Sequence, residues 1–345
     1  MKTDFRSIIV RVPNWIGDVV MSTPVLEDLR TYFPQAELTV MCLTSVAPLL
    51  EHDPAIDKLF HFSPIKGFLR RISARNIVEK LRRGHYDLGL LLTTSFSSAW
   101  YFWQGHVENR VGFKHEGRGI FLNRKVPFPS NKERQHRVST YKTLLQPLGI
   151  PISKTRPRLI LTEEEVQDAW KFLSRFNVTP MQKIIGINPS ANTTSRRYLS
   201  GRFREIAKRL VEADPSFVLL FFGAASHKDL VNEICEKLPS RVINLAGQTN
   251  LRELLGLIKI CSLFLSNDSG PMHIADSLGI PLLALFGATD PAVTGPYRQN
   301  KEVIQKDTEC APCWKEECVI DFLCMKRISA DEVVGILLKK MEKLV

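Results

Sequence analysis

Asp268, Ser269, Gly270 and His273 stand within one helical turn of each other in LFLSNDSGPMHIADSLGIPLLALFGATDP, the stretch from Leu263 to Pro291. Leu263–Ser266 is an apolar run that reads as a buried strand, and Asn267–Gly270 bring turn and cap chemistry. Pro271 suits the first position of a helix running from Met272 to Leu278. A strand that delivers small residues onto a helix start presents free backbone N–H groups and the positive dipole end, which together bind anions. His273, in that first turn, faces the same anion. An ordinary, well-capped βαβ unit uses similar residues, so the phosphate reading rests on the density of Asp, Ser, Gly and His.

Four more polar constellations follow apolar strand-like runs. In Asn14-Trp15-Ile16-Gly17-Asp18, Asp18 either caps the helix that follows or offers a carboxylate able to take a proton. In Asn188-Pro189-Ser190-Ala191-Asn192-Thr193-Thr194-Ser195-Arg196-Arg197-Tyr198, hydroxyls beside two arginines suit a diphosphate; a solvated basic loop has the same composition. Phe222–Ser226 and Leu245–Asn250, the latter with Thr249, are further turns after strands. Four of the five constellations fall in the second half, where the larger anionic ligand is therefore expected. No GxGxxG follows the first strand, which argues against a nicotinamide-dependent oxidoreductase.

The elements that must position these residues alternate. Strands are expected at Ile8–Val12, Glu37–Cys42, Asp57–His61 and Leu88–Leu92, with helices from the Asp18 loop to Tyr32 and from Gly67 to Arg83. The rhythm loosens between Thr93 and Ser153, where only a helix over Val138–Leu148 stands out. Thr162 and Glu165 form a capping box for a helix over Glu163–Phe176. Strands then recur at Lys183–Asn188, Phe217–Phe222 and Val242–Leu245 ahead of the opening stretch. This alternation predicts an α/β chain of two doubly wound domains facing across a cleft, residues 1–177 and 178–328. The closing helix, 329–345, follows a completed second sheet and is expected to cross back to the first domain.

The 345 residues are enough for two cores, and the net charge of +11 favours acidic partners: nucleic acid, anionic headgroups or phosphorylated substrates. Basic and aromatic residues do not interleave in an RNP-like or helix-turn-helix pattern, so nucleic acid is not expected. The basic helix with Arg70, Arg71, Arg75, Lys80, Arg82 and Arg83 suits either a solvated face or an anionic membrane surface. No apolar run approaches the ~20 residues of a spanning helix, and the N-terminus lacks a signal-peptide core. A cytoplasmic location is expected. Cys310, Cys313, Cys318 and Cys324 could together bind a metal or form a reduced, packed loop, since the C-x2-C half has no matching second half.

In combination, IVRVPNWIGDVVMSTPVLEDLR, TTSFSSAW, RVGFKHEGRG, NPSANTTSRRY and NDSGPMHIADSLGIPLLALFGATDP resemble glycosyltransferase family nine, the ADP-heptose:lipopolysaccharide heptosyltransferases. The C-terminal ECAPCWKEECVIDFLCMKRIS is similar to its heptosyltransferase II branch. The resemblance implies a GT-B fold of two Rossmann-like domains, acceptor on the first and nucleotide sugar on the second. It implies inverting transfer from ADP-heptose to the inner-core heptose of lipopolysaccharide, without a metal or other cofactor. Family members that use another acceptor or another nucleotide sugar are the alternative. The family's catalytic aspartate falls on Asp18, and its donor contacts on Thr193, Thr194, Arg196, Asp268, Ser269, Gly270 and His273; Thr249 is assigned beside them. Members often carry Lys at the Arg196 position and Trp at Tyr198. Acceptor contacts are assigned to Asn14, Trp15, Gly17, Ser97 and Arg118. We expect a monomer, peripheral at the cytoplasmic face of the inner membrane.

Overall fold

The structure, a computed structural model, describes residues 4–63, 70–129, 134–298 and 301–343. Gly67–Leu69, expected to open the basic helix, and Leu344, expected to close the last one, lie outside the described residues, as do the side chains of Arg70 and Arg71. Contacts divide the chain into two compact units, Met1–Ile160 and Leu161–Val345.

The first unit runs β1 (Ser7–Arg11), α1 (Ile16–Tyr32), β2 (Glu37–Leu43), β3 (Lys58–Phe62), α2 (Arg70–Arg83), β4 (Leu88–Leu91), α3 (Phe96–Gln104), β5 (Asn109–Lys114), β6 (Arg124–Pro127) and α4 (Arg137–Thr143). Its six strands form one sheet in the order β3-β2-β1-β4-β5-β6, every pair parallel. The order reverses between β1 and β4. Loops that leave those two strands therefore open at the crevice where doubly wound sheets bind ligands.

The second unit repeats the plan. It runs α5 (Glu163–Ser174), β7 (Lys183–Asn188), α6 (Ser200–Ala213), β8 (Phe217–Phe221), α7 (Lys228–Cys235), β9 (Val242–Asn244), α8 (Leu251–Lys259), β10 (Leu263–Asn267), α9 (Gly270–Ser277), β11 (Leu282–Phe286), α10 (Pro291–Thr294), β12 (Lys301–Gln305), α11 (Leu323–Lys326) and α12 (Ala330–Glu342). The sheet order is β12-β11-β10-β7-β8-β9, again all parallel, with its switch point between β7 and β10. Strands covered on both faces need continuous apolar runs, and β8 (FVLLF) and β11 (LLALF) are buried throughout. Phe203, Ile206, Ala207 and Leu210 recur at helical spacing on α6 and pack on this sheet with Val333, Leu337 and Met341 of α12.

Five features differ from the sequence expectation. The boundary lies ahead of α5, because α5 packs on α8 and the Arg252 guanidinium grips Glu165 with two hydrogen bonds. The last helix, α12, belongs to the second unit, where its apolar stripe completes the core against α6 and β10. And the stretch from 93 to 153 holds α3, β5 and β6, while 301–305 forms β12. β6 (RKVP) and β12 (KEVIQ) are edge strands, half solvated and rich in charge, so they lack an apolar run. The helix expected over Val138–Leu148 stops at Thr143, and a short 3-10 turn over Gln146–Leu148 follows, because Pro147 has no N–H to continue it.

Candidate active site

In the first unit the Asp18 loop leaves β1 at the switch point. Helix α1 begins at Ile16 with Trp15 as its N-cap residue, and the Trp15 side chain makes no capping bond. Asp18 thus lies inside the first turn, not at the cap. Its Oδ1 accepts a hydrogen bond of 2.8 Å from the hydroxyl of Tyr141 on α4. Burial, and next the Asp18 carboxylate itself, push the Tyr141 hydroxyl well above its ordinary pKa, so it remains a donor over the working pH range. Asp18 is half-buried, Trp15 is 65% exposed three positions before it, and Ile16 and Gly17 separate the two along the turn. The Asn14 side chain is fixed from below by the Arg11 guanidinium, which also donates to the carbonyl of Val12. Arg11 has its pKa lowered to about 10 by burial.

The neighbouring loop, after β4, is knit by hydroxyls. Ser98 Oγ lies 2.8 Å from Thr93 Oγ1 and 2.9 Å from Ser95 Oγ, and it donates to the Ser95 carbonyl. Ser98, not the adjacent half-buried Ser97, is therefore the centre of this network. Arg118 is fully buried and donates to the Thr93 carbonyl, which holds the same loop from beneath. Its Nε and Nη2 find no hydrogen-bond partner among the described residues, and burial lowers its pKa to about 10. The turn that carries Arg118 starts at Gly117, whose φ of 74° suits glycine.

In the second unit the loops after β7 and β10 are laced together. Asn188, at the end of β7, donates to Ser190 O and to Ser269 Oγ, both at 2.9 Å. Asn267, at the end of β10, donates to Pro189 O at 2.8 Å and accepts from the Tyr198 N–H at 3.1 Å. Ser269 is the N-cap residue of α9, but its hydroxyl is engaged with Asn188 and Ser266 and makes no capping bond. The Ser269 side chain thus does not cap α9, whose first backbone N–H groups begin at Gly270. By contrast α8 is closed by a complete capping box from Asn250 and Glu253. His273, buried, stands in the first turn of α9.

Arg196 reaches this point from the β7 loop. Its Nη1 lies 3.2 Å from Asp268 Oδ2, and Thr289 Oγ1 donates to the same oxygen at 2.6 Å. Asp268 is buried, so its carboxylate aims the Arg196 fork. Thr193 Oγ1 is buried without a hydrogen-bond partner among the described residues, while the exposed Thr194 donates to Glu316 O at 3.4 Å. Ser195 also bonds the Lys315 and Glu316 carbonyls, so the cysteine-rich segment braces the β7 loop. Thr249 lies apart, in the loop after the edge strand β9, two strands from β7.

Each unit gathers its polar loops at its own switch point, one around a hydrogen-bonded carboxylate and one around a helix start beside an arginine. The profile of glycosyltransferase family 9 (heptosyltransferase) matches residues 74–323. The chain belongs to glycosyltransferase family 9.

Among family 9 relatives, lipooligosaccharide heptosyltransferase 2 of Haemophilus ducreyi is 30% identical over 86% of this chain and 88% of its own length. Lipopolysaccharide heptosyltransferase 2 of Escherichia coli K12 is 29% identical over 86% and 87%. The solved structure of E. coli ADP-heptose LPS heptosyltransferase II superposes with a TM-score of 0.84 at 27% identity, covering 98% of this chain and 99% of that one. The two parallel sheets with interleaved helices are thus of GT-B type.

Some candidate site residues of this family 9 enzyme gave no sequence signal: Tyr141 is one aromatic in the short, largely polar helix RVSTYKT. Others were legible and unassigned. Thr289 sits in the quoted GATDP loop, and Asn188 and Asn267 end the two strands that flank the switch point. Among the described residues no group of three or more His, Cys, Asp or Glu is arranged to hold a metal ion. Desolvation first, and next the thiols of Cys310, Cys318 and Cys313, raise the pKa of Cys324, so the four cysteines share one neighbourhood. Removing the Tyr141 donor should lower kcat about tenfold in Tyr141→Phe, the worth of one hydrogen bond to a charged group, with both KM values kept. Steady-state kinetics checks this; an unchanged kcat removes Tyr141 from the site.

Proposed function

We propose that this enzyme transfers L-glycero-D-manno-heptose from ADP-heptose to the inner-core heptose of lipopolysaccharide, with inversion and in one displacement. The acceptor lies on the first unit, at Asn14, Trp15, Gly17, Ser97 and the loop braced by Arg118. The donor lies on the second. Asp18 takes the proton of the acceptor hydroxyl while that oxygen bonds to the anomeric carbon. The bond from that carbon to the β-phosphate oxygen breaks through an oxocarbenium-like state, and its electron pair leaves with ADP. The start of α9, Arg196 and the Thr193 and Thr194 hydroxyls stabilise the charge that develops on the phosphate. Asp268 holds Arg196, and His273 and Thr249 complete the donor contacts.

The observation that carries this reading is the hydrogen-bonded Asp18 carboxylate on the loop after β1, in a family 9 chain alike from end to end to a heptosyltransferase II. The test is purified enzyme with ADP-heptose and a core acceptor that ends at one heptose. One added heptose by mass is expected, and the ADP sugar should win in a panel of nucleotide sugars. No transfer, or preference for another nucleotide, overturns the assignment. Lipopolysaccharide from cells lacking the protein should carry a core truncated after one heptose.

A fixed set of donors takes the place of a divalent cation at the leaving diphosphate. Turnover should therefore persist in excess chelator. A loss of about tenfold or more on chelation, the scale of one lost charge contact, would contradict it. In this reading the enzyme works on the cytoplasmic side of the inner membrane. Among the described residues no helix is long and apolar enough to cross a membrane.

A further inference from the structure

On the first unit, α3 and the turn Arg118–Phe121 leave large apolar side chains in solvent. Ile120 is 75% exposed, Phe96 49% and Trp103 44%. They form one surface, because the ring of Phe121 touches Phe96 at 5.1 Å and Trp103 at 5.4 Å. Aromatic side chains gathered in this way mark an interaction site.

Cations rim the patch. The Lys114 and Lys125 side chains flank Gly119, and with His115 and Ile120 they line a cavity of ≈ 350 Å³. On the other side Arg82 Nε donates to the carbonyl of Gln104, next to Trp103, at 2.9 Å. Helix α2, which packs on α3, exposes Lys80 and Arg83 as well. Among the described residues, Glu116 lines the cavity and lies 3.7 Å from His115, and Glu79 is paired with Arg75 at 3.5 Å. The rim is positive.

We infer that this surface seats the first unit on an anionic lipid bilayer. Ile120, Phe96 and Trp103 enter the headgroup layer, and Lys114, Lys125 and Arg82 meet lipid phosphates. Aromatic rings at the hydrocarbon–water boundary beside a basic rim suit a membrane interface. A second copy of a chain with net charge +11 would instead bring a like-charged rim against this one. The seat stands on residues that have no part in the sugar transfer, and it would hold the enzyme where a lipid-linked acceptor is found.

The test is co-sedimentation of the full chain with vesicles of phosphatidylethanolamine and phosphatidylglycerol, against phosphatidylcholine alone. The wild-type chain should bind the anionic vesicles, less as salt rises. Trp103→Ser with Ile120→Ser should weaken that binding by about tenfold or more. Lys114→Gln with Lys125→Gln should lose about as much on anionic vesicles and nothing on neutral ones. Ile120→Glu alone, at so exposed a position, keeps the fold by thermal melt and repeats the loss. All variants should transfer heptose to a deacylated, soluble acceptor at the wild-type rate. Vesicle binding without any transfer still supports the seat and counts against the reaction. Absence of wild-type binding, or equal binding by the variants, overturns the proposal. So does a dimer in light scattering that Ile120→Glu dissolves, which assigns the patch to a second copy.

Discussion

Asp18→Asn lowers kcat by about 10²–10⁴, the usual worth of a general base, while ADP binds the purified variant as tightly as it binds wild type. The change corresponds to roughly 2.7–5.4 kcal/mol of transition-state stabilisation, far more than loss of the Tyr141 bond alone would remove. Asn keeps the shape and still accepts from Tyr141, so the loop after β1 is undisturbed and only the proton acceptor is lost. Single-turnover kinetics with calorimetric ADP titration separates the two quantities. A variant with full turnover would remove Asp18 from the chemistry, and one that lost ADP affinity instead would make it a donor ligand.

Arg196→Ala weakens ADP binding by about 10- to 100-fold, as expected for one charge-assisted contact to a diphosphate. Lys at this position restores the charge without the planar fork, so Arg196→Lys should recover part of the loss. Asp268→Ala acts through the same arginine. It removes the carboxylate that Arg196 and Thr289 share, and leaves a fork with no fixed aim. Because Asp268 is buried and the Arg196 side chain is 35% exposed, solvent takes back part of the cost of the unpaired cation. ADP affinity in Asp268→Ala should therefore fall less than in Arg196→Ala, and the double variant should resemble Arg196→Ala alone. Additive losses would mean that Asp268 contacts the ligand independently.

The strands under the site were legible because they are covered on both faces. Runs such as LFLSN and LLALF have no polar alternation, and each stops at turn residues that double as ligand-binding loops. The segments that went unread are those whose burial is partial. β5 (NRVGFK) has only a three-residue buried centre between flanking charges, β6 and β12 lie at sheet edges, and α3 (FSSAWYFWQ) carries aromatics on both its buried and its exposed faces. The unit boundary was missed for a related reason. A capping box announces α5, but only its packing on α8 decides which unit owns it.

By itself the sequence determined the two α/β halves and the loops that follow their central strands, and it marked Asp18, Arg196, Asp268 and Gly270 as the candidates within them. These are properties of local pattern: apolar runs, turn residues, and charge placed next to both. What only the tertiary structure decided is which of these groups are partners. Tyr141 meets Asp18 across 123 positions of chain, and Thr289 meets Asp268 across 21. Nothing in the spacing encodes such pairs, because strand order in the sheet sets them, and strand order is fixed by long-range packing of faces that look alike in one dimension.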